Sequence, residues 1–319
     1  MKYIKLGNSD LKVSRICLGC MGFGDANKGM HLWTLSYDQS KEIIKYALDN
    51  GINFFDTAMA YQGGTSEIFV GRAIKEYADR KDVVIATKYT PRSKEQIKSG
   101  ISAREHIEKC INDSLERLQM DYIDLYILHM WDYHHPIEDY MHALYEIKQT
   151  GKIKYIGISN CFAWQIAKAN EYALAHNLEP FISIQGHYNL IFREEEREMV
   201  PYCHLHNVAL TPYSALAAGR LSRINDQSSE RMQKDTYAKG KYDHCQETDQ
   251  LIIHRVKELA DKKQVSMTQI SLAWLMNKTA SPVAGATKVY QIDDMVKACD
   301  VELNEEEMKY LEELYQPHV

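Results

Sequence analysis

The 319 residues contain little that a membrane or a phosphate backbone could hold. No stretch approaches the about 18 consecutive apolar residues of a spanning helix, and Met1–Gly7 lacks the apolar core of a secretion signal. A soluble, cytoplasmic chain is expected. The net charge of −6 gives no general attraction to nucleic acid or anionic lipid, so a small molecule is the default partner. Cysteine is sparse: seven residues, an odd count, scattered through a long chain. That pattern suits reduced thiols rather than a disulfide framework. The one C-x-x-C pair, Cys17 and Cys20, has no second pair to complete a zinc site, and Cys17 lies in an apolar run where cysteine serves as a small core residue. The G-x-G-x-x-G fingerprint of an open dinucleotide-binding sheet is missing, since Gly19, Gly22 and Gly24 are spaced G-x-x-G-x-G, and no phosphate-binding P-loop occurs. Low-complexity linkers and internal repeats are absent too.

What is present is an ordinary globular composition, 45% hydrophobic and 26% charged, with enough material for one large core. Length alone would allow two domains, but α/β barrels of this size form one, and residues 1–319 are read as a single domain. Short apolar runs alternate with amphipathic segments from end to end, the pattern of repeated β-α units. Eight strands are expected, at 16–18, 52–55, 83–87, 123–128, 153–158, 181–184, 208–210 and 282–284. Their continuous Val, Ile and Leu suits strands buried on both faces. Helical periodicity over Lys41–Asp49 stops at Asn50-Gly51, and Pro136 opens a helix that Thr150-Gly151 closes. Before the first strand, Gly7-Asn8-Ser9-Asp10 separates two alternating runs and reads as a hairpin that plugs one barrel end. The fold class is therefore α/β, a (β/α)8 TIM barrel with an N-terminal β-hairpin and a long loop after the seventh strand. Within that interval the polar stretch Arg223–Gln246 is a candidate lid, and residues 214–246 are where a cover over a ligand would lie.

Barrel sites form at the C-terminal ends of strands, so the first polar residues after each apolar run carry the chemistry. These are Asp56, with Tyr61 five residues on, then Lys88, His129, Ser159 and Asn160, Gln185, and Tyr213. A phenol of ordinary pKa near 10 is a poor acid, and an adjacent ammonium lowers that value by favouring the phenolate. Lys88 could do this, with Asp56 holding the lysine charged. His129 could hydrogen-bond a carbonyl oxygen. A proton donor beside a polarised carbonyl is half of a reduction, and the hydride has to come from a nicotinamide cofactor.

In order and along nearly the whole chain, Asp56-Thr-Ala-x-x-Tyr61, Ala86-Thr-Lys88, Leu128-His129, Gly157-Ile-Ser-Asn160, Gln185-x-x-Tyr188-Asn189, Pro212-Tyr-Ser-x-Leu-Ala217-x-Gly219 and Gly285-Ala-Thr-Lys288 resemble the aldo-keto reductases. The resemblance implies an NADPH-dependent reduction of an aldehyde or ketone, with Asp56, Tyr61, Lys88 and His129 as catalytic tetrad and Tyr61 as general acid. It places Gly19, Cys20, Met21 and Asp56 beside the cofactor, Ser159, Asn160 and Gln185 on the carboxamide, and Tyr213 on the nicotinamide ring. Ser214, Leu216 and Gly219 would follow the pyrophosphate. Gly285, Thr287 and Lys288 would meet the 2′-phosphate at a helix N-terminus, which favours NADPH (NADP+). Gln291 and Asp294 would lie near the adenine, where Met295 departs from a frequent asparagine. The opening Leu6-Gly-x-Ser-x-Leu-x-Val-Ser-Arg15 and His129-Met-Trp-Asp132 look like the bacterial aldehyde or sugar-phosphate reductase branch.

Each of these residues has a plainer reading: a buried ion pair for Asp56 and Lys88, a loop tyrosine, a core histidine. Their arrival at successive strand ends is what favours a site. Trp33 and Trp131 are either core aromatics or walls of a substrate pocket that includes Tyr61 and His129. No metal is expected: His134-His135 before Pro136 reads as a helix start, and Glu194-Glu195-Glu196-Arg197 and Glu305–Glu307 read as solvated helix faces. Two other functions stay open, an NADPH-binding regulatory subunit with slow or vestigial activity and a metal-dependent barrel hydrolase. The substrate and the oligomeric state are not encoded legibly.

Overall fold

Two antiparallel strands and eight parallel ones account for the sheet structure of the computed structural model, which describes residues 1–224 and 233–318. The hairpin pairs β1 (Tyr3–Lys5) with β2 (Lys12–Ser14). The parallel strands are β3 (Cys17–Gly19), β4 (Phe54–Asp56), β5 (Val84–Tyr89), β6 (Ile123–Leu128), β7 (Ile153–Ser159), β8 (Ser183–Gln185), β9 (Ala209–Leu210) and β10 (Val283–Ala284). They run in the spatial order β10-β3-β4-β5-β6-β7-β8-β9. The circle is drawn together where Ala280 N donates to Leu210 O (3.0 Å) and Val283 N donates to Pro212 O (2.8 Å). This is the (β/α)8 barrel. Strand positions match the eight expected runs, with ends displaced by one or two residues; the second begins at Phe54 rather than at residue 52, and the sixth at Ser183 rather than 181.

The surrounding helices are α1 (Tyr37–Asp49), α2 (Thr65–Tyr77), α3 (Lys94–Lys98), α4 (Ala103–Leu118), α5 (Ile137–Gln149), α6 (Ala163–Ala175), α7 (Met199–His206), α8 (Thr236–Tyr242), α9 (Gln246–Lys263), α10 (Met267–Lys278), α11 (Val289–Ala298) and α12 (Glu305–Glu312). Their ends follow local chemistry. Ser102 Oγ accepts from Glu105 N while Glu105 Oε2 accepts from Ser102 N, a reciprocal cap that starts α4. Helix α1 runs back to Tyr37, four residues before its apolar periodicity begins, and ends at Asn50 with Gly51 left-handed (φ +81°). Pro136 caps α5, and Gly151 follows it at φ +80°.

Alternation along each strand separates two cores. Cys17, Phe54, Val84, Ala86, Leu125, Ile127, Ala209 and Val283 fill the barrel interior together with Leu6 and Val13 of the hairpin, which plugs that end as the turn chemistry suggested. Leu18, Phe55, Ile85, Tyr126, Leu128, Ile156 and Ile184 face outward and pack with helix residues such as Ile44, Ile74, Ile107 and Ile111. Cys17 thus belongs to the inner core and Cys20 to the outer one, and all seven cysteines are unpaired thiols.

The interval after the seventh barrel strand holds a 3-10 turn over Ala217–Ser222 and helix α8. The part of the candidate lid at 225–232 lies outside the described residues. One expectation is corrected: Glu194–Glu196 is a half-buried 3-10 turn, not a solvated helix face. Glu196 accepts from Arg193 (2.6 Å) and Tyr188 (2.5 Å), and burial pushes the Glu195 carboxyl up to about 7. Glu305–Glu307, by contrast, does form the first turn of α12, capped by Asn304. Among the described residues no helix is long and apolar enough to cross a membrane.

Candidate active site

Inward-facing positions two residues apart change from apolar to functional as each strand reaches its C-terminal end. Phe54 is followed by Asp56, Val84 and Ala86 by Lys88, Leu125 and Ile127 by His129, and Ser183 by Gln185. Because side chains alternate across a strand, the same face that packs the barrel presents the polar group at its rim.

Lys88 is fully buried and Asp56 nearly so. Lys88 Nζ donates to Asp56 Oδ1 (2.5 Å), Thr57 O (2.8 Å) and Tyr61 Oη (3.2 Å), using its three donors on three oxygens. Asp56 Oδ2 accepts from Gln185 Nε2 (2.9 Å), so both carboxylate oxygens are held. The Tyr61 ring meets the His129 ring edge-on, with centroids 5.9 Å apart at 80°. Backbone His129 N donates to Tyr89 O (2.8 Å), which fixes the residue just past β6. The four tetrad residues are therefore together at one rim.

Electrostatics depart from the expectation in one respect. Burial raises the Tyr61 phenol above its ordinary value, and the attraction of Lys88 only partly offsets this. The lysine charge is already shared with Asp56 and with the Thr57 carbonyl, so less of it reaches the phenol. Burial would lower the Lys88 ammonium, but Asp56 and Tyr61 together carry it above its ordinary value. Burial, with the repulsion of Lys88, brings the His129 imidazole down to about 3. At neutral pH the site thus holds a neutral phenol, an ammonium paired with a carboxylate, and a neutral imidazole.

Around the next strand ends, Ser159 Oγ donates to Gln185 O (2.8 Å), and Asn160 Nδ2 donates to Ser159 Oγ and His129 O (2.9 Å each). Asn160 is left-handed (φ +50°), a conformation asparagine tolerates. Tyr213 Oη donates to Asn160 Oδ1 (3.0 Å), and the face of Tyr213 is backed by His187 at 5.4 Å and 14°. Ser214, Ala217, Ala218 and Gly219 all have positive φ, a concentration of backbone strain of the kind that marks ligand clamps. Gly19 lies against Val283 and Gly285 of the neighbouring strand end. Gln291 Oε1 accepts from Thr287 N (2.7 Å) and Lys288 N (3.1 Å), shaping the N-terminus of α11. Lys288 is exposed, with no ion-pair partner for its ammonium among the described residues. Asp294 accepts from Gln269 (2.7 Å). Met295 is wholly buried in the outer core. Trp33 is 8% exposed and covers Gly22; Trp131 is 8% exposed and packs in the outer core.

Two residues gave no sequence signal strong enough to single out. Gln62, next to Tyr61, is buried with φ +47°, and its amide binds Asp25 O, His31 O and His31 N, pinning the first long loop to the site. The Gly63-Gly64 pair after it was the only hint. Lys241 of α8 donates to Tyr213 Oη (3.3 Å), and burial lowers its ammonium to about 8.

A model of the Aldo/keto reductase family matches residues 15–316. The chain belongs to that family. It is 39% identical over 339 residues to versiconal hemiacetal acetate reductase of Aspergillus parasiticus, covering 99% of this chain and 98% of that one. A putative aryl-alcohol dehydrogenase of Saccharomyces cerevisiae is 36% identical over 338 residues, with 99% and 98% covered. Among solved structures, a thermostable aldo-keto reductase, Tm1743, in complex with the inhibitor epalrestat superposes with a TM-score of 0.78 at 27% identity, covering 98% of this chain and 100% of that one. This aldo/keto reductase is an oxidoreductase that exchanges hydride between a nicotinamide dinucleotide and a small carbonyl compound.

The bacterial branch is not supported, because these similar reductases and dehydrogenases are fungal. The motifs that suggested it are structural. Leu6 and Val13 are barrel-plug positions, and Asp132 accepts from His134 N (2.7 Å) and Tyr140 Oη (2.6 Å). Packing and turn formation demand such residues whatever the substrate.

Proposed function

We propose that this aldo/keto reductase reduces an aldehyde or ketone with NADPH, and that Tyr61 delivers the proton. One observation carries the reading: Lys88 Nζ lies between Asp56 Oδ1 and Tyr61 Oη, inside a rim closed by His129. When bound, the dinucleotide supplies the hydride that no side chain can. Tyr61 enters the reaction as the neutral phenol, the form required of a donor, and gives its proton to the carbonyl oxygen as charge develops there. Lys88, held charged by Asp56, stabilises the phenolate this leaves. Neutral His129 is a hydrogen-bond donor to the same oxygen. Its buried Nδ1 has no hydrogen-bond partner among the described residues, and with the proton on Nε2 the ring would donate from that nitrogen.

The residues present fit the cofactor. Ser159, Asn160 and Gln185 are grouped at adjacent rim positions for a carboxamide, and Tyr213 offers a ring already backed by His187. The left-handed run through Gly219 suits a pyrophosphate path, and Gly19, Cys20 and Met21 lie at the end of β3, which neighbours β10 in the barrel. Gly285, Thr287 and Lys288 precede the N-terminus of α11, where helix N–H groups and an unpaired ammonium favour a 2′-phosphate. Gln291 and Asp294 would border the adenine, and Trp33 and Trp131 the substrate.

The test is a steady-state screen of aldehydes, dicarbonyls and sugar phosphates, with loss of reduced cofactor followed by its near-ultraviolet absorbance and NADPH compared with NADH. Turnover with a higher kcat/KM for NADPH is expected. No turnover with any carbonyl would overturn the reductase reading, and equal kcat/KM for the two nucleotides would overturn the assignment to Lys288.

A further inference from the structure

Away from the rim, three potential metal ligands come together where no catalytic step needs them. His244 and Cys245 lie in the 3-10 turn Asp243–Cys245 between α8 and α9, and His318 comes from the stretch after α12. One ligand atom from each lies within 4.8 Å of the other two. The ring of His318 makes the arrangement more than a chance grouping. Its side chain is only 3% exposed, and one nitrogen is committed: Nε2 pairs with Asp249 Oδ1 at 2.9 Å. The other, Nδ1, is buried with no hydrogen-bond partner among the described residues. A buried ring nitrogen left unpaired is a net cost to the fold. A histidine bound on one side by carboxylate and open on the other is also how proteins orient an imidazole toward a metal.

We propose that His244, Cys245 and His318 bind a zinc ion, with Asp249 orienting His318 and the fourth position left to water. A thiolate with two imidazoles is a donor set that suits zinc and excludes the harder, oxygen-seeking Mg²⁺ and Ca²⁺. Bond lengths of about 2.3 Å to sulfur and about 2.0 Å to nitrogen ask the three side chains to close by roughly an ångström. His244 is exposed and Cys245 half-buried, so both have room to move. Binding replaces the Cys245 thiol proton, which leaves to solvent as the Zn–S bond forms.

The site ties the tail to the α8–α9 junction, and it does so at one end of an aromatic stack. His318 meets Phe192 edge-on (5.5 Å), Phe192 stacks on His187 (4.0 Å), and His187 stacks on Tyr213 (5.4 Å). Zinc therefore clamps the segment that supports Tyr213 from behind.

Cobalt substitution tests this without reference to turnover. Full-length protein freed of metal by a chelator is titrated with Co²⁺ and then with Zn²⁺. The expected result is one equivalent of Co²⁺ giving a thiolate-to-cobalt charge-transfer band in the near ultraviolet, displaced by Zn²⁺, and a rise in Tm on zinc addition. Cys245→Ser abolishes the band, and His244→Ala, at an exposed position that leaves folding intact, weakens binding by at least about tenfold; Asp249→Asn weakens it by about tenfold, as loss of a ligand-orienting carboxylate does. Absence of the band in the wild type, or cobalt binding unchanged in both Cys245→Ser and His244→Ala, would overturn the proposal.

Discussion

The two ends of the barrel use the same strands and opposite chemistry. At the hairpin end, Leu6 and Val13 pack in one apolar cluster with Phe54, Val84 and Leu125. At the other rim, two to four residues along the same strands, the inward positions hold Asp56 and Lys88, both almost inaccessible to water. The aliphatic and aromatic side chains of that apolar cluster need no polar partner. The polar end survives burial only because Lys88 is held by three oxygens and Asp56 by two donors. A buried ion pair of this sort contributes little net stability, while removing one partner is strongly destabilising. One end is therefore a source of stability, and the other the proposed catalytic arrangement, which the first supports.

If that division holds, damage at the two ends should differ in kind. Lys88→Met is expected to have the largest effect: kcat falls about 10²–10⁴-fold, and stability falls by about 3–5 kcal/mol as Asp56 loses its counter-charge. Denaturant unfolding and turnover measured on the same sample check both. Gly7→Ala breaks the other end. Gly7 is left-handed (φ +57°), and an added Cβ would stand 2.5 Å from Ile182 O. A loss of about 1–3 kcal/mol is expected from the strained backbone, read as a lower Tm with kcat unchanged. A comparable drop in kcat would undo the separation of roles. Lys288→Ala sharpens the picture within the polar end. It should raise KM for NADPH by about 10–100-fold, the worth of a hydrogen bond to a charged group, and leave KM for NADH as it was.

The smallest effect concerns Glu195, whose carboxyl is raised to about 7 by burial. A folded-state value above the ordinary one means that the fold favours the protonated acid. Its contribution is therefore complete below the ordinary carboxylate range and is lost as pH rises through about 7. Glu195→Gln should match the wild type in Tm under acid conditions and exceed it at alkaline pH. Equal Tm at both would show that the carboxylate is solvated after all.

Much of this was legible before any coordinates. Eight apolar runs, each ending in a polar residue, locate the barrel and bring the proposed tetrad to one rim, because strand alternation carries the inward face directly from core to rim. Glycine and proline marked the ends of α1 and α5 for reasons local to the backbone. Less legible were features set by burial. The sign of the Tyr61 shift depends on how far the phenol is desolvated, which no spacing encodes. Glu194–Glu196 carries the same charge run as Glu305–Glu307, yet the first tucks beneath Arg193 and Tyr188 while the second caps a helix. The pin at Gln62 and the meeting of His244 with His318 are tertiary contacts between distant segments, invisible to periodicity.

The most direct test of the account is the rate of hydride transfer in Tyr61→Phe, measured in a single turnover with an aldehyde the wild type reduces. The phenyl ring keeps the packing against His129 and removes the hydroxyl, which is both the proton donor and one acceptor of Lys88 Nζ. The account predicts a fall of about 10²–10⁴-fold, as for loss of a general acid, with NADPH binding unchanged and Tm lowered as buried Lys88 loses one of its three acceptors. Hydride transfer at the wild-type rate would contradict it.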